Sequence, residues 1–257
     1  MEDFMHTRDA KIKVLGIVGS PKRGATYRAV KEALDAASTV PEVSVDMIEL
    51  RGKKISFCIH CNKCIKNGLR YCPTFPEDDM RDLYQPMIEA DAYIIGSPVY
   101  QMTVTGQLQT FFNRLRPIAP LFTEGLFATK VGGAIAVGGT RNGGQETTLE
   151  TINNFFFCTG VVVVSGGVLA YNGGAIWSKD RGAKGTEEDE VGMRTLRVMG
   201  RRVAHIARVM KYGVANLPKP FSSSELAGID QEEMRKGFEI RDRLREDEEL
   251  EERRTFS

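Results

Sequence analysis

The sequence predicts an α/β domain built on a doubly wound, five-stranded parallel sheet. Three observations predict it. Short apolar runs recur five times between residues 11 and 170. They are mostly unbroken and rich in Val, Ile and Gly, as strands covered on both faces are. Segments with helically spaced apolar residues separate them, the rhythm of strands that all run the same way. Hydrophobic residues make up 42% of the 257-residue chain and charged residues 27%, proportions that allow a sizeable core.

Each element has its own signal. "KIKVLGIVG" (11–19) is an apolar run ending in a turn and reads as the first strand. The helix after it carries Ala29, Val30, Ala33, Leu34 and Ala37 on one face. "VSVDMIEL" (43–50) is the second strand, and Asp78 and Asp79 are expected to open a helix to about Ala90. "AYIIGSPV" (92–99) is the third strand, followed by a helix from Gly106 to Leu115 with Leu108, Phe111, Phe112 and Leu115 inward. "KVGGAIAVG" (130–138) is the fourth, with a helix over Thr147 to Phe157, and "VVVVSGGVLA" (161–170) the fifth. Thr186 is expected to cap a long last helix, "EEDEVGMRTLRVMGRRVAHIARVMKY", with acids in its first turn and bases in its last. From about Leu217 the chain is charged and Pro/Ser-rich, then helical in pattern, with too few apolar residues for a core. The expected organisation is a domain over 1–216 with an insertion at 51–76, and a charged helical arm over 217–257, solvated or packed on a neighbouring subunit.

Charge and hydropathy exclude some functions. A formal net charge of +1 gives no global field toward nucleic acid or a membrane surface. The N-terminal "MEDFMHTRDAKIK" has no apolar run of the signal-peptide kind. Residues 155–171 are apolar but interrupted by Thr159, Gly160, Ser165, Gly166 and Gly167, so they read as a helix end and a strand. The expected location is the cytoplasm, where thiols stay reduced.

In an open parallel sheet, ligands sit where the strands deliver their carboxyl ends. Three loops there carry suitable residues. "GSPKRGAT" (19–26) combines Gly19 and Gly24 with the hydroxyls of Ser20 and Thr26, the charges of Lys22 and Arg23, and a helix N-terminus, which suits a phosphate monoester. It is neither a dinucleotide fingerprint nor a P-loop. "GSPVYQMTVTG" (96–106) has Pro98 holding Ser97 out of helical geometry, and Tyr100 offering a flat face with a polar end. "GGTRNGGQETT" (138–148) exposes backbone just before a helix. Each loop alone also fits an ordinary connection.

"FCIHCNKCIKNGLRYCP" (57–73) places Cys58, Cys61, Cys64 and Cys72 in the pattern C-x2-C-x2-C-x7-C. A zinc knot, a pair of disulfides and an iron–sulfur cluster all need closely spaced thiols. Zinc prefers two separated C-x2-C pairs, and disulfides suit an oxidising compartment. Three successive intervals of three suit an object with several metal corners, and Pro73 follows the last cysteine as proline does in bacterial ferredoxins. The spacing thus favours a [4Fe–4S] cluster over the other two. His60 is not needed where four thiolates complete a cubane, and Cys158 is expected to be a small core residue. From Arg51 to Pro76 there is no acidic residue, while Arg51, Lys53, Lys54, Lys63, Lys66 and Arg70 are basic. They would balance an anionic cluster or meet an acidic partner.

In this order, the three loops resemble those of the flavodoxin-like NAD(P)H-dependent FMN reductases, and the cysteine run narrows the resemblance to the iron–sulfur flavoproteins. It covers roughly residues 11–211 and leaves the tail outside. The resemblance implies a flavodoxin-like sheet of order 2-1-3-4-5, FMN, and a [4Fe–4S] cluster on the four cysteines. Its phosphate loop falls on Ser20, Lys22, Gly24, Ala25 and Thr26, and its flavin-ring contacts on Ser97, Pro98, Val99, Tyr100, Gly139, Thr140 and Gly144. It also implies an oxidoreductase passing electrons from a ferredoxin-like donor through the cluster to FMN and on to a small acceptor such as oxygen, peroxide or a quinone. The alternative is an NAD(P)H-dependent FMN or quinone reductase with an auxiliary metal site. No acid–base pair or nucleophile stands out, as expected where cofactors carry the chemistry. A homodimer or homotetramer is expected from related flavoproteins.

Overall fold

A computed structural model describes residues 11–218 and, beyond them, residues 225, 228, 230, 232, 233, 235–237, 239, 240 and 243. The chain runs β1 (Ile12–Val18), α1 (Ala25–Ser38), β2 (Val43–Glu49), α2 (Lys63–Lys66), α3 (Arg81–Glu89), β3 (Ala92–Pro98), α4 (Gly106–Arg114), α5 (Ala119–Thr123), β4 (Val131–Gly138), α6 (Gln145–Thr159), β5 (Val162–Val163), β6 (Gly174–Trp177), α7 (Gly182–Glu187) and α8 (Glu190–Ala215). All strand pairs are parallel, in the order β2-β1-β3-β4, with β5 and β6 both beside β4.

The sheet lies between two helical layers. Ala29, Val30, Ala33 and Leu34 of α1 pack with Leu196, Met199 and Val203 of α8 on one face. Leu83 and Met87 of α3, Leu108 and Phe111 of α4, and Leu149 and Phe156 of α6 fill the other. β3 and β4 are buried almost throughout, which is why their sequences are continuous rather than alternating. α8 packs tightly on α1 at Gly200, where a Cβ would come within 2.1 Å of Ala33 O.

Four expectations are corrected. The sheet has six strands rather than five, because the fifth position is shared. Val162 and Val163 pair with Val131 and Gly132, and the chain returns to pair Gly174–Trp177 with Ile135–Gly138. Between them Gly166 N–H donates to Ala170 O at 2.9 Å and Gly167 takes φ +64°, so the Gly166–Gly167 pair breaks the run expected over 161–170. Thr186 does not cap the last helix; its hydroxyl donates to Gly182 O at 3.2 Å inside α7. Asp189 is the cap, accepting from Gly192 N–H at 3.0 Å and from Trp177 N–H at 2.7 Å, which ties the helix start to β6. α8 runs on to Ala215, so its basic residues do not reach its last turn. Cys158 lies exposed rather than in the core, beside the exposed Phe157 on α6. The arm expected over 217–257 lies largely outside the described residues. No helix among the described residues is long and apolar enough to cross a membrane.

Candidate functional site

Parallel strands send their C-terminal ends to one rim of the sheet, and four loops leave from it. After β1, Ser20 Oγ donates to Lys22 O at 2.7 Å and accepts from Lys22 N–H at 3.2 Å, a tight polar turn. Gly24 enters α1 with no side-chain cap, and a Cβ there would meet nothing within 4 Å. The first-turn amides, including those of Ala25 and Thr26, thus meet no capping side chain, the condition for holding an anion at a helix start. Lys22 is exposed beside them, whereas Arg23 is committed to Tyr27 Oη at 2.8 Å and to Glu49 at 3.4 Å.

The second loop is locked to the first. Gly19 N–H donates to Gly96 O at 2.7 Å, and Thr105 Oγ1 donates to Gly19 O at 2.6 Å. Ser97 is buried; its hydroxyl donates to Pro98 O at 2.8 Å and accepts from Thr105 N–H at 3.1 Å, so it shapes the loop from beneath. Val99 N–H donates to Val137 O at 2.9 Å, carrying pairing one residue past β3. Tyr100 and Thr103 exchange backbone bonds of 2.9 and 3.1 Å around Gln101 and Met102, whose φ values are +51° and +63°. That is a primed two-residue turn made without glycine, and it leaves Tyr100 46% exposed on the rim.

The third loop closes on the second. Gly144 has φ +100°, and a Cβ there would lie 2.8 Å from Met102 Cα. Thr147 Oγ1 donates to Met102 O at 2.5 Å. Gln145 Nε2 donates to Thr140 O at 2.7 Å, and its Oε1 accepts from Gly143 N–H at 2.8 Å. Gly139 O accepts from Trp177 Nε1 at 2.9 Å. Glycine-rich backbone from β1, polar backbone from β3 and glycine-rich backbone from β4 therefore meet at one edge.

The cysteine loop leaves β2 at this same edge. Leu50 N–H donates to Val18 O at 3.0 Å, and Gln107 of α4 donates to Leu50 O at 2.6 Å. Cys58, Cys61, Cys64 and Cys72 all carry free thiols and line one open pocket. His60 and Asn62 take left-handed φ of +54° and +55° on either side of Cys61, and α2 buries Cys64. Burial pushes the Cys64 thiol up, while the Thr74 hydroxyl, 3.2 Å from the Cys61 sulfur, leads the contacts that bring Cys61 down. Among the described residues no three His, Cys, Asp or Glu side chains are gathered to hold one metal ion; the thiols are spread around the pocket wall.

The residues that hold this loop come from elsewhere in the chain. Arg114, at the end of α4 and 1% exposed, donates to Ser56 O at 2.6 Å and grips Asp78 with two bonds of 2.5 and 3.2 Å. Arg116 donates twice to Asn62 Oδ1, at 2.9 and 2.6 Å. Asp78 also accepts from Ser56 N–H, and Asp79 from Lys54 N–H at 2.6 Å. The two acids expected to open a helix thus staple the base of the loop, and α3 starts only at Arg81. Of the basic residues within 51–76, none lines the cysteine pocket; Arg114 and Arg116 do. Separations of 36 to 58 residues hide these pairs from any local pattern.

A doubly wound sheet with glycine-rich loops at one rim defines a flavodoxin-like architecture. A family model for NADPH-dependent FMN reductases matches residues 12–175. An iron–sulfur flavoprotein of Methanocaldococcus jannaschii is 48% identical over 187 residues, covering 72% of this chain and 92% of that protein. Another from Archaeoglobus fulgidus is 38% identical over 199 residues, covering 77% and 98%. Among solved structures, RosB with bound 8-demethyl-8-formylriboflavin-5'-phosphate has a TM-score of 0.62 at 15% identity, with 84% of each chain covered. A WrbA-like flavodoxin from Agrobacterium tumefaciens has a TM-score of 0.53 at 18% identity, covering 77% of this chain and 98% of the other; both likenesses show the fold. The chain belongs to the NADPH-dependent FMN reductase family and, within it, to the iron–sulfur flavoproteins. It is an FMN-dependent oxidoreductase.

Proposed function

We propose that this flavoprotein carries a [4Fe–4S] cluster on Cys58, Cys61, Cys64 and Cys72 and exchanges electrons between a one-electron donor of the ferredoxin class, the cluster and FMN, with a small oxidant as acceptor. The observation that carries this reading is four free thiols around one pocket, at the sheet edge that also bears the three ligand loops. The donor set fits: four sulfurs with two arginine side chains in the wall suit an anionic sulfur-ligated group. The rim fits FMN, with an uncapped helix start at Gly24 for the phosphate and Tyr100 with the Gly139–Gly144 backbone for the ring. In this reading Ser20, Lys22, Gly24, Ala25 and Thr26 hold the phosphate. Pro98, Val99, Tyr100, Gly139, Thr140 and Gly144 flank the ring, and Ser97 holds their loop in place. When bound, the pair supplies conversion between one-electron and two-electron transfer.

α4 joins the two sites. Thr105, its N-cap, accepts from Leu108 N–H at 3.1 Å and closes the second flavin loop, while Arg114 at its other end holds the cysteine loop. Nine residues of helix span about 13 Å, so one short rigid element carries residues of both sites. An assembly of two or four copies would also cover Phe57 and Ile59 of the cysteine loop, 77% and 62% exposed. We place residues 217–257 outside this redox unit as an appended arm.

A second reading is favoured by the family model: direct reduction of the flavin by NAD(P)H, with the metal site auxiliary. Anaerobic purification followed by iron, sulfide and flavin analysis tests the first reading, with about four irons, four sulfides and one FMN per chain expected. A single zinc per chain would end it. Mixing with NADPH in the absence of air separates the two: rapid bleaching of the flavin supports the nicotinamide route, and bleaching only with reduced ferredoxin supports the other.

A further inference from the structure

Tyr84 of α3 is 3% exposed, and its buried hydroxyl donates to no acceptor; the Arg114 guanidinium is near enough to favour its ionised form but cannot take its proton. A buried hydroxyl whose proton finds no acceptor is unfavourable, so its surroundings need a reason. Tyr84 lines a small cavity with Cys72, Tyr71, Phe75, Asp78 and Arg81, against the floor of the cysteine pocket. Asp78 and Ser56 in that wall are already committed. Asp78 Oδ2 accepts from Arg114 Nη1 and Ser56 N–H, and Oδ1 from Arg114 Nη2 and Met80 N–H. Ser56 O is taken by Arg114. Tyr71 is 37% exposed and Arg81 can only donate, which leaves the Cys72 sulfur as the candidate acceptor in that wall. Burial keeps the Tyr84 hydroxyl protonated, hence a donor. A neutral thiol accepts weakly, while an iron-bound thiolate accepts well.

We propose that Tyr84 donates a hydrogen bond to the Cys72 sulfur once that sulfur ligates iron, making Tyr84 a positioning residue that raises the reduction potential of the cluster. The inference rests on the cluster reading above. Its sign follows from charge: one added electron makes the sulfur ligands more negative, so a donated proton stabilises the reduced form more than the oxidised one. The Arg114 guanidinium, fixed by Asp78 in the same wall, acts in the same direction.

The test is potentiometric titration of anaerobically purified holoprotein and its Tyr84→Phe variant, followed by electron paramagnetic resonance. The variant is expected to favour the oxidised cluster about tenfold more, a potential lower by about 59 mV for one electron. In the wild type, exchange into D2O should also shift the Raman bands of the iron–thiolate bonds, and this shift should vanish in Tyr84→Phe. Equal potentials with a full complement of iron and sulfide overturn the role of Tyr84 and leave the cluster standing. Wild-type protein free of iron and sulfide overturns both. If the variant does not retain its cluster, the wild-type isotope shift decides alone: its absence rejects the hydrogen bond.

Discussion

Gly144 joins two of the ligand loops by what it lacks. Its φ of +100° and the 2.8 Å that a Cβ would leave to Met102 Cα demand glycine twice over. Gly144→Ala is expected to push the third loop off the second, costing about 1–3 kcal/mol and lowering flavin content in purified protein, read from absorbance per chain. Lys130 offers a separate check far from the rim. Its ammonium is buried at the start of β4 and donates to Ile88 O and Ala90 O, and burial pulls its pKa down to about 8. The unfolded chain holds that proton up to the ordinary lysine range, so between about pH 8 and 10 it binds more protons than the folded one. Wild-type stability should therefore rise with pH in that window relative to Lys130→Met, by on the order of 1 kcal/mol per pH unit. Denaturant titrations of both proteins at pH 7, 8, 9 and 10 measure it; parallel curves would contradict the assignment. Residues such as Gly139, Tyr100 and the four cysteines stand out in the sequence because glycine, aromatic and thiol side chains in loops carry a chemical reason to be there. Arg114, Arg116 and Tyr84 do not, because helix positions of that kind read as core or surface until the fold sets them beside the cysteines.

At the scale of elements, the strands and the helices α1, α4 and α6 follow from periodicity, since one buried face imposes its spacing on the sequence. Leu108, Phe111, Phe112 and Leu115 are all buried, as their spacing implies. The divided fifth strand does not follow, because four valines in a row look alike whether the chain continues or turns away after two. Caps are similarly ambiguous: Thr186 and Asp189 both precede a helical run, and only the second also reaches Trp177 N–H. The contact of α8 with α1 carries its own prediction. With Ala33 O 2.1 Å from where a Cβ would sit, Gly200→Val should part the two helices and cost about 3 kcal/mol or more, seen as a lowered denaturation midpoint with its slope unchanged.

For the whole molecule, the cations of the cysteine loop are a matter of surface rather than of the pocket. Arg51, Lys54, Lys63, Lys66 and Arg70 are exposed and Lys53 is half-buried. If they guide an acidic donor, reduction by ferredoxin should slow several-fold as salt rises from 50 to 500 mM, because the Debye length shrinks below the reach of the encounter. A rate indifferent to salt would leave these residues as ordinary solvated charge. The far side of the sheet carries a different consequence. A neighbour seeking to extend a sheet needs a straight row of unpaired amides and carbonyls, and here the outermost position offers two residues, a detour, and then four. Fibril-like stacking at that margin is thereby discouraged, and copies of this chain that associate there are expected to meet through side-chain surfaces instead of through backbone.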